Sequence, residues 1–354
     1  MWSSQALPVL HGRGTPWNPP NRFERLNVDR DGWTDPDDPP PQTQLLNDAT
    51  RSILAYNDSP DVEFNVGINP YRGCEHACAY CYARPTHQFL GWGAGTDFDR
   101  RIVVKTNAAD LLSLELARPS WKREPVAFSG VTDCYQPLEA AYSLTRACLE
   151  VCLVRRTPVV ILTKGALVER DAALLAKIHE VAGVRVTISI AFADAQSARA
   201  LEPNTPSPAR RFQAIETLAQ AGIPTGILVA PIIPGLNDTH IAELLERAAQ
   251  AGATYAAMTM LRLPQEVVDV FTERLNETLP LRAAKILSAI RDVRGGKLSD
   301  ARFSERMKGQ GPRWKIIHDL FDLQCRRHGL DPHFAEGPPL PAQRETEEQG
   351  ELFA

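Results

Sequence analysis

A chain of 354 residues, 44% hydrophobic and 23% charged, is long enough to bury a sizeable core and suggests about two domains, or one large α/β unit with appendages. Its 39 Lys and Arg against 43 Asp and Glu leave a formal charge of −4, so no global positive field draws it to nucleic acid or membrane, although a local basic groove is compatible with that balance. There is no run of 18 or more apolar residues, which excludes a transmembrane helix, and residues 1–14 lack the pattern of a secretory leader, so a cytoplasmic location is expected.

Residues 1–60 contain nine prolines and read as an irregular N-terminal arm, too poor in apolar surface to form its own core. Trp2, Trp17, Phe23 and Trp33 give it points of attachment to a main domain. From residue 61 to 265 the pattern alternates. Short β-branched runs fall at 64–68, 126–129, 159–163, 184–190, 225–229 and 255–261. Stretches with helical spacing lie at 108–117, 138–155, 168–181, 208–221, 239–251 and 281–293. Ala221-Gly222-Ile223-Pro224 and Ala251-Gly252 end two of these helices. Strands alternating with helices of this length predict βαβ units and a parallel sheet. Six units suit an open, incomplete α/β barrel, while a doubly wound sheet would give the same alternation. In both architectures the ligand site lies beyond the carboxyl ends of the strands. Residues 266–335 read as a C-terminal helical extension. Residues 336–354, with three prolines and five glutamates, read as a disordered acidic tail.

The seven cysteines do not form a disulfide scaffold. Three of them fall in the loop after the first predicted strand, Asn69-Pro70-Tyr71-Arg72-Gly73-Cys74-Glu75-His76-Ala77-Cys78-Ala79-Tyr80-Cys81-Tyr82. Thiolates at this spacing can converge on one metal centre. A four-iron cluster held by three thiolates would leave one iron open, whereas zinc would want a fourth ligand, for which His76 or His87 is available. Three buried free cysteines are the plainer alternative.

Cys-x3-Cys-x2-Cys after the first strand of an α/β barrel resembles the signature of the radical S-adenosylmethionine (SAM) enzymes, as does the aromatic Tyr80 before the third cysteine. The runs Ser129-Gly130-Val131-Thr132-Asp133-Cys134-Tyr135-Gln136-Pro137, Leu162-Thr163-Lys164, Leu201-Glu202-Pro203 and Ala230-Pro231-Ile232-Ile233-Pro234-Gly235-Leu236-Asn237-Asp238 are similar to the branch that contains spore photoproduct lyase and its bacterial relatives. The resemblance covers residues 63–330 and implies an open (βα)6 TIM-like barrel. It implies that Cys74, Cys78 and Cys81 hold three irons of a [4Fe–4S] cluster. The fourth iron would take the methionine moiety of SAM, and reduction by a low-potential donor of flavodoxin or ferredoxin type would yield a 5′-deoxyadenosyl radical that abstracts hydrogen from substrate. In the same way it implies Tyr80 near the adenine, Thr132 and Asp133 near the SAM ammonium, Lys164 near its carboxylate and Ser189 near its ribose. Where the superfamily often carries Gly-Gly-Glu, this chain has Val131-Thr132-Asp133.

Beyond the cofactor, Cys134 is placed to return a hydrogen atom to a substrate radical, although free cysteines are more often buried hydrophobes. Cys148 and Cys152 sit four apart on one helix face and read as core. Arg210-Arg211 opens a helix and reads as a solvated face, with the ribose as the alternative partner. Residues 91–95, Gly-Trp-Gly-Ala-Gly, do not join a strand to a helix and read as a flexible lid. Between Arg282 and Lys315 stand ten basic residues and three acids, which with Phe303 and Trp314 could make a nucleic-acid track, or a soluble helix face. Gln349-Gly350-Glu351-Leu352-Phe353 resembles the short peptides that dock on sliding clamps. The substrate expected from these features is a nucleic acid, with lesion repair as its form. Radical modification of a peptide or small molecule, or a non-catalytic iron–sulfur or zinc redox sensor, are the alternatives.

Overall fold

The computed structural model describes residues 42–332 apart from 49 and 63, together with 13–15, 17–19, 21 and 23. Two short strands open the described chain, β1 (Gln44–Asn47) and β2 (Leu54–Tyr56), followed by β3 (Val66–Ile68) and β4 (Tyr71–Arg72) around the cysteine loop. A 3-10 helix (Arg84–Leu90) and α1 (Thr96–Arg100) lead to β5 (Arg101–Val104) and α2 (Ala108–Leu116). Then come β6 (Val126–Phe128), α3 (Glu139–Tyr142), α4 (Leu144–Val154), β7 (Val159–Thr163), α5 (Ala172–Val181), β8 (Val184–Ser189), α6 (Ala195–Leu201) and α7 (Pro208–Gln220). The last strands, β9 (Thr225–Ile232) and β10 (Tyr255–Met260), flank α8 (Ile241–Gln250), and α9 (Gln265–Thr278), α10 (Pro280–Asp292) and α11 (Gly311–His328) follow.

The main sheet runs β10-β9-β8-β7-β6-β3-β2, parallel throughout except for β2, which pairs antiparallel with β3. Its six parallel strands are the six predicted runs, and their spatial order is their chain order. A doubly wound sheet reverses direction at a switch point. Here there is none, so the winding is that of an open barrel. A smaller sheet, β1-β5-β4, sits beside it. The run of valine and isoleucine in β7 pairs in parallel with β8 from Val159↔Val184 to Thr163↔Ile188, which is the pattern expected of strands covered on both faces.

Several helix ends follow their sequence signals. The Ser207 side chain accepts from the Arg210 amide ahead of Pro208, and Asp194 does the same for Ser197. The predicted helix over 138–155 is two helices, because Ser143 takes φ +52° between α3 and α4. The arm is not irregular throughout, since β1 and β2 lie within residues 1–60. Such short edge strands gain their order from pairing with a neighbour and leave little periodicity to read. Residues from α9 to Leu330 share one continuous apolar core with the barrel, and Asp331 bridges back to Tyr255 at the β10 edge. Among the described residues no helix is long and apolar enough to cross a membrane.

Candidate active site at the strand ends

The cysteine loop leaves β3 and is shaped by its backbone. Gly73 takes φ +83°, and a Cβ there would lie 2.8–2.9 Å from Ile102, His87 and the Phe98 carbonyl, so only glycine fits. The amides of Ala77, Cys81 and Arg84 donate to the carbonyls of Cys74, Cys78 and Cys81, each at 3.2 Å, giving a chain of tight turns. The Cys74 amide donates to Phe98 and the Ala79 amide to Leu201, at 3.1 and 2.9 Å. Buried Gln136 accepts from the Glu75 amide at 2.9 Å and donates to the Gly73 carbonyl at 3.2 Å. Beneath the loop, fully buried Arg84 donates to the carbonyls of Ala77 (3.2 Å), Cys78 (3.0 Å), Ala94 (3.3 Å) and Gly95 (2.8 Å) and pairs with buried Asp99 at 2.9 Å. Asp99 in turn accepts from the Gly14 amide at 2.9 Å. Nothing in the sequence marked Arg84, because each of its partners but one is a main-chain atom.

Facing the loop, the ends of β7 and β8 bring two of the predicted site residues, Lys164 and Ser189, against a third, Tyr80 of the loop itself. The Lys164 ammonium donates to Ser189 at 3.0 Å and lies 5.7 Å from the centre of the Tyr80 ring. The Tyr80 hydroxyl donates to buried Glu202, whose carboxylate also accepts from fully buried Arg211. Arg211 further donates to the carbonyls of Ser189 (3.0 Å) and Pro206 (2.9 Å). Burial alone would raise the Glu202 carboxyl, but Arg211 and Lys164 outweigh it and hold it below its usual range.

Asp133 and Thr132 are used differently from the expectation. The Asp133 carboxylate accepts from the Thr163 hydroxyl (2.5 Å) and the amides of Tyr135 (2.9 Å) and Lys164 (2.7 Å), and His76 Nδ1 lies 3.3 Å away. Burial would raise it, yet these neighbours hold it down to about 2. Three protein donors already occupy its oxygens, with His76 beside them. The Thr132 hydroxyl donates to the Tyr71 carbonyl at 2.6 Å, and its amide, with that of Val131, donates to Asn69.

The donor set fits an iron–sulfur cluster. Burial pushes all three thiols up from their ordinary range, reinforced by Asp133 at Cys74 and by Glu202 at Cys78 and opposed by Arg84 at Cys81, so thiolates here call for a cationic acceptor. Among the described residues no three Cys, His, Asp or Glu meet at a single-ion site. The candidate fourth zinc ligands are engaged elsewhere, His76 against Asp133 and His87 Nε2 on the Arg101 carbonyl at 2.9 Å. A four-iron cluster spreads its thiolates more widely than one ion does.

Other expectations are corrected. The Cys134 thiol is 1% exposed within the main core, with no access for a substrate radical. Arg210 is a surface residue paired with Glu169 at 2.6 Å, but Arg211 is not solvated at all. Helical periodicity offered the signal, since Arg211 shares the buried stripe of Pro208, Phe212, Ile215 and Leu218. The 91–95 segment is not a lid. Arg84 holds it from below, Thr96 donates to the Trp17 carbonyl at 3.0 Å, and a Cβ on Gly95 would meet that same carbonyl. Of the basic stretch, Arg294 is spent on the carbonyls of Leu261, Glu305, Arg306 and Lys308, Arg306 on Asp61, Arg313 on Asp292 and Lys315 on Asp319. The clamp-like peptide at 349–353 lies outside the described residues.

An open parallel barrel with a turn-built cysteine loop above its first strand, and polar side chains gathered at its strand ends, is the architecture of a cofactor-binding α/β protein. The chain belongs to the radical SAM superfamily, whose family model matches residues 68–248. That membership implies a [4Fe–4S] cluster and SAM. The chain is similar to an uncharacterized protein of Mycobacterium tuberculosis, 44% identical over 202 residues that cover 56% of this chain and 59% of the relative. A protein of Methanocaldococcus jannaschii is 34% identical over 49% of this chain and 62% of its own length. The chain thus spans less than two thirds of these relatives. Its fold is also that of spore photoproduct lyase solved with a dinucleoside spore photoproduct, with a TM-score of 0.58, 19% identity and 81% of each chain covered.

Proposed function

We propose that this chain is a radical SAM enzyme in which Cys74, Cys78 and Cys81 ligate the [4Fe–4S] cluster, with a nucleic acid as substrate and lesion repair as the form of reaction. The observation that carries the reading is that Lys164 and Ser189, at the ends of β7 and β8, meet Tyr80 of the cysteine loop. When bound, the cluster and SAM supply one-electron reductive cleavage of a sulfonium and, through it, hydrogen-atom abstraction. The protein's part is positioning and charge. Lys164 offers an ammonium for a carboxylate, and the Ser189 hydroxyl fixes where that ammonium points. Tyr80 gives the adenine a ring face, held in plane by its hydroxyl bond to Glu202. Asp133 and Thr132 act as braces that tie the end of β6 to β7 and to the cysteine loop. The electron comes from a low-potential flavodoxin- or ferredoxin-type donor. Support for a nucleic-acid substrate comes from the lyase that shares the fold, solved with a dinucleoside photoproduct.

The test is anaerobic reconstitution followed by dithionite and SAM, with 5′-deoxyadenosine followed by mass spectrometry. The full chain is expected to bind about four irons and form 5′-deoxyadenosine. Cys78→Ala is expected to do neither, and a variant that kept both activities would overturn the ligand assignment. Damaged DNA added to the assay is expected to speed the cleavage.

A further inference from the structure

One part of the barrel mouth is unused by the cofactor reading. Tyr82 follows the third cysteine, is 45% exposed, and anchors its hydroxyl on the Gly130 carbonyl at 2.8 Å. Over its ring, 5.3 Å from the centre, sits the guanidinium of Arg262, two residues past the end of β10. The loop from 297 to 310 lies across the same strand end, tied by the Met260 amide to the Met307 carbonyl at 3.0 Å and by Arg294. From that loop Arg306 stacks over the ring of Phe303 at 4.3 Å, and Phe303 is 56% exposed. Outward from the cysteine loop the order is therefore ring, guanidinium, guanidinium, ring: Tyr82, Arg262, Arg306, Phe303.

The two arginines differ in one respect. Arg306 is neutralised by Asp61 and donates to Ser59 at 2.8 Å. Half-buried Arg262 makes no direct ion pair among the described residues, and Asp61, committed to Arg306, acts on it only from a distance. Burial and the like charge of Arg306 both lower its pKa, so it sits as a cation that an incoming anion would stabilise. Exposed rings with an unmatched guanidinium between them are the parts from which sequence-tolerant single-strand sites are made, the rings taking bases and the cation a phosphodiester.

We propose that the stripe of Tyr82, Arg262, Arg306 and Phe303 docks the substrate, and that this substrate is single-stranded or locally opened nucleic acid with one phosphodiester on Arg262 and a base on Phe303. The proposal deepens the nucleic-acid reading above and assigns it residues. Its test uses the reconstituted holoenzyme without reductant, so failure of binding and failure of SAM cleavage are read separately.

Anisotropy of a labelled oligothymidylate is measured against salt for the wild type, Arg262→Gln, Arg262→Lys, Phe303→Ala and, as a distant charge control, Lys315→Gln. Arg262→Gln is expected to weaken binding about tenfold and lower the salt slope by about one, because one phosphate contact is lost. Arg262→Lys, which keeps the charge and loses the planar fork, is expected to recover part of that affinity and the salt slope. Phe303→Ala is expected to weaken binding about tenfold with the slope unchanged. Because Phe303 is surface-exposed, this variant reads the proposal even if Arg262→Gln fails to fold. Wild-type affinity in both Arg262→Gln and Phe303→Ala would overturn the docking site. An equal loss in Lys315→Gln would reduce it to bulk charge, and equal competition by thymidine monophosphate or polyglutamate would overturn the polymer assignment.

Discussion

Two fully buried arginines flank the cysteine loop and serve opposite ends. Arg84, beneath it, spends its hydrogen bonds on four main-chain carbonyls and its charge on Asp99. Arg211, on the side facing the strand ends, meets Glu202, which also holds the Tyr80 hydroxyl, and reaches the Ser189 carbonyl. The first arrangement fixes where the chain runs. The second fixes where particular side chains point. A buried guanidinium–carboxylate pair is thus not one kind of feature, and its role is read from what else the pair holds.

The contrast can be broken by experiment, most severely at Arg84. Arg84→Met leaves Asp99 as an unpaired buried carboxylate and four carbonyls without their donor, and should cost about 3–5 kcal/mol in urea unfolding, with iron loading lost. If that variant loads iron and unfolds like the wild type, the underside is not the scaffold. The same side carries His87, whose ring burial holds its pKa at about 4, below the ordinary value of 6.5. In the folded state it therefore resists protonation, so the unfolded chain binds more protons between those values. Stability should be complete above about pH 6.5 and decline by about 3 kcal/mol as pH falls to about 4, a slope that His87→Gln removes.

Substitutions on the other side should spare the fold and touch the ligand. Lys164→Ala is expected to weaken SAM binding about tenfold, or about 1.4 kcal/mol, in equilibrium titration, with the unfolding midpoint nearly unchanged. The smallest effect belongs to Tyr80→Phe. It removes one of the donors to Glu202 while Arg211 and Thr205 remain, so about 1 kcal/mol of stability is lost and SAM cleavage persists at reduced rate. A Tyr80→Phe variant as damaged as Arg84→Met would erase the distinction between the two sides.

The sequence made the six parallel strands legible because each is a β-branched run followed by helical spacing, and the cysteine loop because its spacing is compact. It left open whether the sheet winds one way or two, which the strand order answers. The harder parts were those whose meaning is a pairing across the chain. Glu202 and Arg211 stand nine residues apart with a helix start between them, and Asp133 is held by Thr163 and Lys164 after β7 and by His76 in the cysteine loop. Arg84 had no visible partner in its vicinity, since Asp99 lies beyond a glycine-rich connection that itself read as mobile. The edge strands β1 and β2 are too short for periodicity to rise above composition. Nothing in the sequence distinguishes Arg262, just past β10, and only the ring beneath it and the lack of a direct ion pair among the described residues make it distinctive.

The main sheet ends at β10 on one side and β2 on the other, and among the described residues these two edges do not pair with each other. The 297–310 loop spans that gap, tied to β10 through Met260 and, through Ser304 and Arg306, to Asp61 and Ser59 just past β2. The circle is completed there by a loop and its side chains, which single substitutions can loosen, where elsewhere it is completed by a strand ladder, which none can.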